Sequence, residues 1–560
     1  MARRLRSRVE PGTVQWAVRR AEWGVLGLTE ADLDKPKIAV VNSSSGLAAC
    51  FAHLDVVAAK VKEAIREAGG VPFEIRTAAP SDFVTSAGHR GGYILSARDL
   101  IVNDIEVAVE GALLDGMVCL ASCDKTVPGH LMAAGRLNVP TIVVACGYQP
   151  SGRFRGEAID IEELWLRAAQ RAAGGAQWTD EELAEMSRQA ILGPGVCPGM
   201  GTANSMHIVA EALGLALPGT TPVLAMSPRM WDAVQRAGRR IVAMVEEDLR
   251  PRDLLTPDAF ANAVMAMLAV GGSLNTIKHL QAIATEAEVD VDIYRLFEEY
   301  ADQVPLLAAV RPNGEYFIED FEAAGGALAV LKQLGPLVRQ EARTVDGRRW
   351  SQILPEVTVA DPEVIRPLDR PFAHHPAIVL VRGSLAPETG VVKLPVHLDN
   401  RPLSFRGPAH VFNATDEAIA AVHAGAIKPG EVVVLRGLGP KGTPGMGMAS
   451  NLVFALEGAG LIDQVAVVTD GQESGLSNKG LVVKEVSPEA YDGGPLALVE
   501  DGDPIFIDVN QRVVNLEVPE EELARRRERM LAHWPSGERG WLAIYRKLAK
   551  PLGKGAVLVD

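Results

Sequence analysis

No run of apolar residues in this chain is long enough to span a bilayer as a helix, so a membrane-embedded protein is not expected. Basic charge is not in excess. The 56 Lys and Arg stand against 71 Asp and Glu, a net charge of −15, which leaves no nucleic-acid footprint. A small anionic substrate stays open, because a local site can be positive on an acidic surface. Cysteine is scarce, five in 560 residues, and the count is odd. That usage fits a reducing cytoplasm, with thiols kept for metals or catalysis. The start, Met1 to Arg8, is basic but no apolar core follows it, so it does not read as a secretory signal; Glu10 and the turn Pro11-Gly12 read as mature protein. There is no short repeat and no low-complexity tract.

What is present is an ordinary globular composition, 48% hydrophobic and 23% charged, in a chain too long for one core. From Pro36 the pattern alternates strand and helix. Lys37–Val41 reads as a strand ending at the turn that begins with Asn42, and Asp55–Ala68 as a helix stopped by Gly69-Gly70. Pro72–Arg76, Gly116–Leu120 and Thr141–Cys146 read as further strands, the last two apolar enough to be buried on both faces. Ala97–Leu114 reads as helical, followed later by Ile161–Ala173, Ser205–Leu213, Trp231–Glu247 and Ala259–Leu268. Gln340–Pro376 mixes Arg, Pro and acidic residues without periodicity and reads as a link. Beyond it come short strand-like runs, Ala377–Val381, His410–Asn413, Glu431–Leu435, Val465–Thr469, Leu481–Lys484 and Pro504–Asp508, then a charged helix, Pro519–Met530. The expected fold is α/β: residues 1–350 a domain with a parallel sheet, 351–376 a linker, and 377–560 a strand-rich, β-barrel-like domain.

Ser122-Cys123-Asp124-Lys125-Thr126-Val127-Pro128-Gly129 sets a thiol, a carboxylate and an amine side by side at a strand-to-helix turn. Parallel α/β sheets keep their ligand sites at such turns. Two more cysteines sit at turns, Cys50 at the end of Asn42–Cys50 and Cys197 within Gly193–Met206, whereas Cys119 and Cys146 belong to apolar strands and read as core. The turn cysteines are too far apart in sequence for a zinc ribbon. Three thiolates brought to one sheet edge could hold an iron–sulfur cluster with one iron open to substrate; buried, inert cysteines are the plainer alternative.

These segments resemble the signatures of the dihydroxy-acid dehydratase / phosphogluconate dehydratase family, which includes sugar-acid dehydratases. Cys123–Gly129 with Ala133, the Cys197 stretch and Asn42–His53 match its three cysteine motifs. The likeness continues through Gly271–Asn275, Glu319-Asp320-Phe321, Leu385-Ala386-Pro387, Gly439–Met446, Thr469-Asp470-Gly471, Val486–Ala490 and Lys554–Leu558. The resemblance implies an α/β domain carrying the cluster, a barrel-like domain, and a site between them. It implies loss of water from a 2,3-dihydroxy carboxylic acid to give a 2-keto acid. It also implies Cys50, Cys123 and Cys197 as ligands of an iron–sulfur cluster, [2Fe–2S] ahead of [4Fe–4S], and Asp82, Asp124 and Lys125 as holders of Mg²⁺. Lysine is a poor Mg²⁺ ligand, so Lys125 would act as its carbamate. Ser474 matches the serine taken as base, and a homodimer or homotetramer in the cytoplasm is implied, with a hydroxy-acid substrate and no nucleic-acid or membrane partner.

The chain departs from the family pattern in places. Met448 stands where the family has a Mg²⁺-binding Glu, and a soft thioether does not replace a carboxylate. Gln472-Glu473 replaces an Arg and an apolar residue, and Leu274 stands where a small hydroxyl residue is usual. Glu473 is a candidate for the missing carboxylate, set against the plain reading of a solvated loop residue. The competing function is a relative that keeps the cluster but has lost dehydration, acting as a redox or binding protein. A metal-free α/β protein is the third reading.

Overall fold

The computed structural model describes residues 5–88, 91–172, 177–398, 401–529 and 537–559. Strands β1 (Lys37–Asn42), β2 (Val71–Arg76), β3 (Gly116–Ala121) and β4 (Thr141–Ala145) form one parallel sheet in the order β2-β1-β3-β4. β1, β3 and β4 are buried along their whole length. That is why each is a continuous apolar run with no polar alternation. The helices Leu54–Glu67 and Pro228–Glu247 pack on this sheet through Val57, Val61, Ile65, Val234 and Ile241. Each such side chain contributes about 1.5–3 kcal/mol by leaving water. A small antiparallel hairpin, β5 (Gly152–Phe154) and β6 (Glu157–Ile159), follows the sheet.

The second sheet has eight strands: β7 (Ile378–Val381), β8 (Thr389–Lys393), β9 (Ser404–Phe412), β10 (Val432–Leu435), β11 (Ala466–Thr469), β12 (Leu481–Ser487), β13 (Pro504–Asp508) and β14 (Val513–Leu516). Their order is β14-β13-β9-β10-β11-β12-β8-β7, with β9 to β12 parallel and the outer pairs antiparallel. Arg382, just past β7, exchanges backbone hydrogen bonds at 3.0 Å with Arg512 and Val514 beside β14, which brings the two edges together into a barrel. The expected α/β domain and barrel-like domain are therefore both present. β8 and β14 were not expected from the sequence, and β9 begins six residues before the expected start at His410. The helices expected to end at Ala173 and Met530 run Ile161–Ala172 and Glu520–Arg529; those two end residues lie outside the described ones.

The segment read as a link is packed. It opens with a short helix, Trp350–Ile353, and buries Leu354, Val364 and Ile365 in the core of the first domain. That same core takes in Ile378, Leu380 and Val391 from the barrel and Val557 from the C-terminus. Part of the seam between the domains is thus hydrophobic packing, and Cys123 and Cys197 line a recess that Ser474 and Leu476 of the second domain also line.

Candidate active site

The three cysteine turns are tied to one another by hydrogen bonds. The Ser122 hydroxyl donates to the carbonyl of Cys50. The Gly195 amide donates to the Ala49 carbonyl at 3.2 Å, joining the third turn to the first. Gly195 has φ +120°, and a Cβ there would stand 2.6 Å from the backbone of Tyr148 and Gln149, so only glycine lets the strands approach. Thr126 opens the helix Thr126–Leu137, donating to the Cys123 carbonyl at 2.9 Å and accepting from the Ser122 amide at 3.2 Å. Asn204 holds the third turn, donating to the carbonyls of Cys197 and Gly199 at 2.9 and 2.8 Å.

Cys50 and Cys123 are buried and Cys197 is half-buried. Hydrogen bonding to Cys50, with burial, holds the Cys123 thiol well above its ordinary value. Burial does the same for Cys197, reinforced by the negative charge of Asp124 and by Cys50. Cys50 thus bears on both of the other two thiols. Cys119 and Cys146 are fully buried within the first domain, raised by burial alone.

Cys123, Asp124 and Cys197 line a recess of about 20 Å³ together with Asp82, Thr202 and Ser474. Asp82 and Ser474 also line a cavity of about 320 Å³, walled by Phe83, Trp165, Thr415, Asp416, Met448 and Asn451. The two spaces share Asp82, Phe83 and Ser474 in their linings. Asp124 is packed so that burial, then the charge of Asp82, push its carboxyl up to about 8. The Lys125 Nζ is fully buried, 3.6 Å from Asp82 Oδ2, and has no hydrogen-bond partner; Asp82 Oδ1 is buried and unpartnered too. Orphaned polar atoms of this kind are costly unless something polar fills the gap. The donor set, thiols on one side and carboxylates beside an amine on the other, fits a thiolate-held cluster and a hard cation. Among the described residues, no three His, Cys, Asp or Glu side chains converge on a single ion position.

Two family descriptions fit the chain, dihydroxy-acid/6-phosphogluconate dehydratase N-terminal over residues 35–353 and C-terminal over residues 363–556. The chain belongs to the dihydroxy-acid/6-phosphogluconate dehydratase family. It is 40% identical over 547 residues to the dihydroxy-acid dehydratase of Ignicoccus hospitalis, covering 97% of this chain and 98% of that one. It is 39% identical over 557 residues to that of Caldicellulosiruptor saccharolyticus, at 99% and 100% coverage. It is 40% identical over 561 residues to that of Pyrococcus abyssi, at the same coverage. The chain is accordingly a hydro-lyase by family.

At the recess and cavity, Ser474 and Glu473 part company. Ser474 faces the cavity, its amide donating to Ser450 Oγ at 2.8 Å and its own Oγ accepting from the Leu476 amide at 3.3 Å. The Glu473 carboxylate, expected as a substitute metal ligand, is turned away. It is ion-paired with Lys484, accepts from the Ser477 hydroxyl, and does not line the recess. Gln472 is buried and donates to the Met446 carbonyl at 2.7 Å. Met448 lines the cavity wall.

Trp165, Asp416, Asn451 and Thr202 were not singled out as site residues by sequence reasoning. No motif marks the first two, since they come from two helices, Ile161–Ala172 and Thr415–His423, that only folding brings to the cavity.

Proposed function

We propose that the chain dehydrates a 2,3-dihydroxy carboxylic acid, a branched-chain or a sugar acid, to the corresponding 2-keto acid. The observation that carries the reading is that Cys123, Asp124 and Cys197 of the first domain line a recess with Ser474 of the barrel, and that the buried Lys125 Nζ lies 3.6 Å from Asp82 Oδ2, whose residue lines both that recess and the larger cavity. Cys50, Cys123 and Cys197 would hold the iron–sulfur cluster. Three thiols on turns that hydrogen bonds tie together suit a polynuclear group, with [2Fe–2S] preferred. Asp82, Asp124 and carbamylated Lys125 would hold Mg²⁺, oxygen donors matched to a hard cation. When bound, these groups supply Lewis acidity at the C3 oxygen and charge stabilisation at the carboxylate end. The chain's own part is to seat the acid between recess and cavity and to take the C2 proton on Ser474 Oγ. A free serine is too weak an acid for this, so its pKa must be lowered by nearby positive charge. Loss of the C2 proton and the C3 hydroxyl as water leaves an enol, which tautomerises to the 2-keto acid.

The same reading makes the protein a cytoplasmic homodimer or homotetramer. No helix among the described residues is long and apolar enough to cross a membrane. Val14, Val18 and Val25 stand 74%, 53% and 89% exposed on the first helix, a stripe suited to a second copy.

A second reading is favoured by one specific feature, the cavity wall at Met448 with Glu473 withdrawn from it. It is a relative that holds the cluster but no longer dehydrates, serving a redox or binding role. Protein purified without oxygen, screened against branched dihydroxy acids and aldonic acids for 2-keto acid release, tests both. Keto acid from any of them supports the dehydratase. Iron-replete protein that releases none supports the second reading.

A further inference from the structure

A closed ring of polar contacts surrounds the loop that carries Ser474. Glu473 is paired with Lys484 through its side chain, and its carbonyl accepts from Asn275 Nδ2 at 3.1 Å. Asn275 Oδ1 accepts from Lys278 Nζ, and Lys278 Nζ donates to Glu485 Oε1 at 2.5 Å. Glu485 follows Lys484 in β12, which completes the circuit. Asn275 and Lys278 belong to the helix Asn275–Glu286 of the first domain, whereas the other three belong to the barrel, so the ring crosses the seam. All five side chains are buried.

Two further observations show that the circuit is built rather than incidental. Glu485 has φ +55°, the left-handed region that a side chain rarely adopts, and β12 shifts register between Lys484 and Ser487. Such strain persists only where the surroundings over-determine it. The loop is also pressed against the first domain, because a Cβ on Gly475 would stand 2.5 Å from Ser273 Oγ and 2.7 Å from the Thr202 amide. Thr202 Oγ1 accepts from Asn275 Nδ2 at 3.0 Å, and Thr202 lines the recess beside Asp124. The ring therefore touches both sides of the site, Ser474 through its neighbour Glu473 and Asp124 through Thr202.

We infer that Lys278, Asn275, Glu473, Lys484 and Glu485 are positioning residues that set Ser474 against Asp124 across the domain seam. The inference rests on the dehydratase reading for the role of Ser474, and on geometry alone for the position of the loop. The ion pair with Lys484 gives Glu473 a mechanical part in that arrangement.

The test is a double variant, Lys278→Met with Glu485→Gln. It removes both charges of one arm together and leaves no lone buried ion. Glu473→Gln, which keeps size and shape on the other arm, is the second variant should the first fail to fold. Iron content, thermal midpoint, kcat, KM, the Mg²⁺ needed for half activity and amide hydrogen exchange over residues 472–478 are read against the parent. Expected are parent-like iron content and Mg²⁺ requirement, at least a tenfold fall in kcat with KM changed less than threefold, and faster exchange in 472–478. Parent-like exchange in that segment overturns the inference, as does a parent-like kcat in a parent that turns over. If the parent itself releases no keto acid, the dehydratase reading fails, and the exchange measurement alone still decides the ring.

Discussion

Lys125 Nζ lies 3.6 Å from Asp82 Oδ2, fully buried and without a hydrogen bond. An amine in that position has the carboxylates of Asp82 and Asp124 near it and no hydrogen bond. Lys125→Met should therefore lower stability, because it leaves those two carboxyl groups without this counter-charge. Turnover should be lost. Calorimetry and a keto-acid assay on the same preparation check this, and a large drop in thermal midpoint with activity retained would reverse the assignment.

Cys50, Cys123 and Cys197 meet through their turns, whereas Cys119 and Cys146 are sealed inside the first domain. Single Ser replacements at the first three should each remove the bound iron and the visible colour of anaerobically purified protein. Ala replacements at Cys119 and Cys146 should leave iron and colour unchanged, at about 1 kcal/mol of packing each. Iron that survives Cys123→Ser would falsify the ligand set.

Met448 lines the cavity with Asp82 and Ser474. Met448→Glu adds a carboxylate at the wall where the family carries one. Several-fold tighter Mg²⁺ dependence is expected in a titration of activity. No shift, with normal folding, would mean that residue 448 is too far from the metal to act as a ligand.

His130 is fully buried in the helix after Cys123, and neither ring nitrogen has a hydrogen-bond partner. Burial lowers its pKa from 6.5 to about 3. The neutral ring is favoured in the fold, so this stabilisation is whole above pH 6.5 and is lost as pH falls toward 3, where the unfolded chain takes the proton first. The slope is about 1.4 kcal/mol per pH unit in that window. Thermal midpoints between pH 7 and 4 should fall more steeply for the parent than for His130→Gln, and parallel slopes would exclude His130 as the cause.

The strands β1, β3 and β4 were legible because burial on both faces leaves an unbroken apolar run. β8 and β14 were not, because five and four residues among turn signals carry too little periodicity. Gly92–Ala112 starts five residues before the expected Ala97, since its opening turn bears Gly92 and Tyr93 rather than a capping residue. Gln340–Pro376 looked like a tether, yet Leu354, Val364 and Ile365 are held in the core, a matter of what lies opposite them rather than of their own pattern.

By itself the sequence determined the chemistry on offer. A thiol, a carboxylate and an amine in consecutive positions after a buried strand must arrive together at one sheet edge, whatever the rest of the chain does. It could not determine direction. Whether Ser474 or Glu473 faces the cavity depends on how the loop is clamped, and the clamp is Lys484 on one side and Asn275 on the other. Lys278 and Glu485 are 207 positions apart and come from different domains. Pairing over such a distance leaves no local trace in the chain, because a buried charge is tolerated only by its partner, and only the tertiary structure chooses that partner.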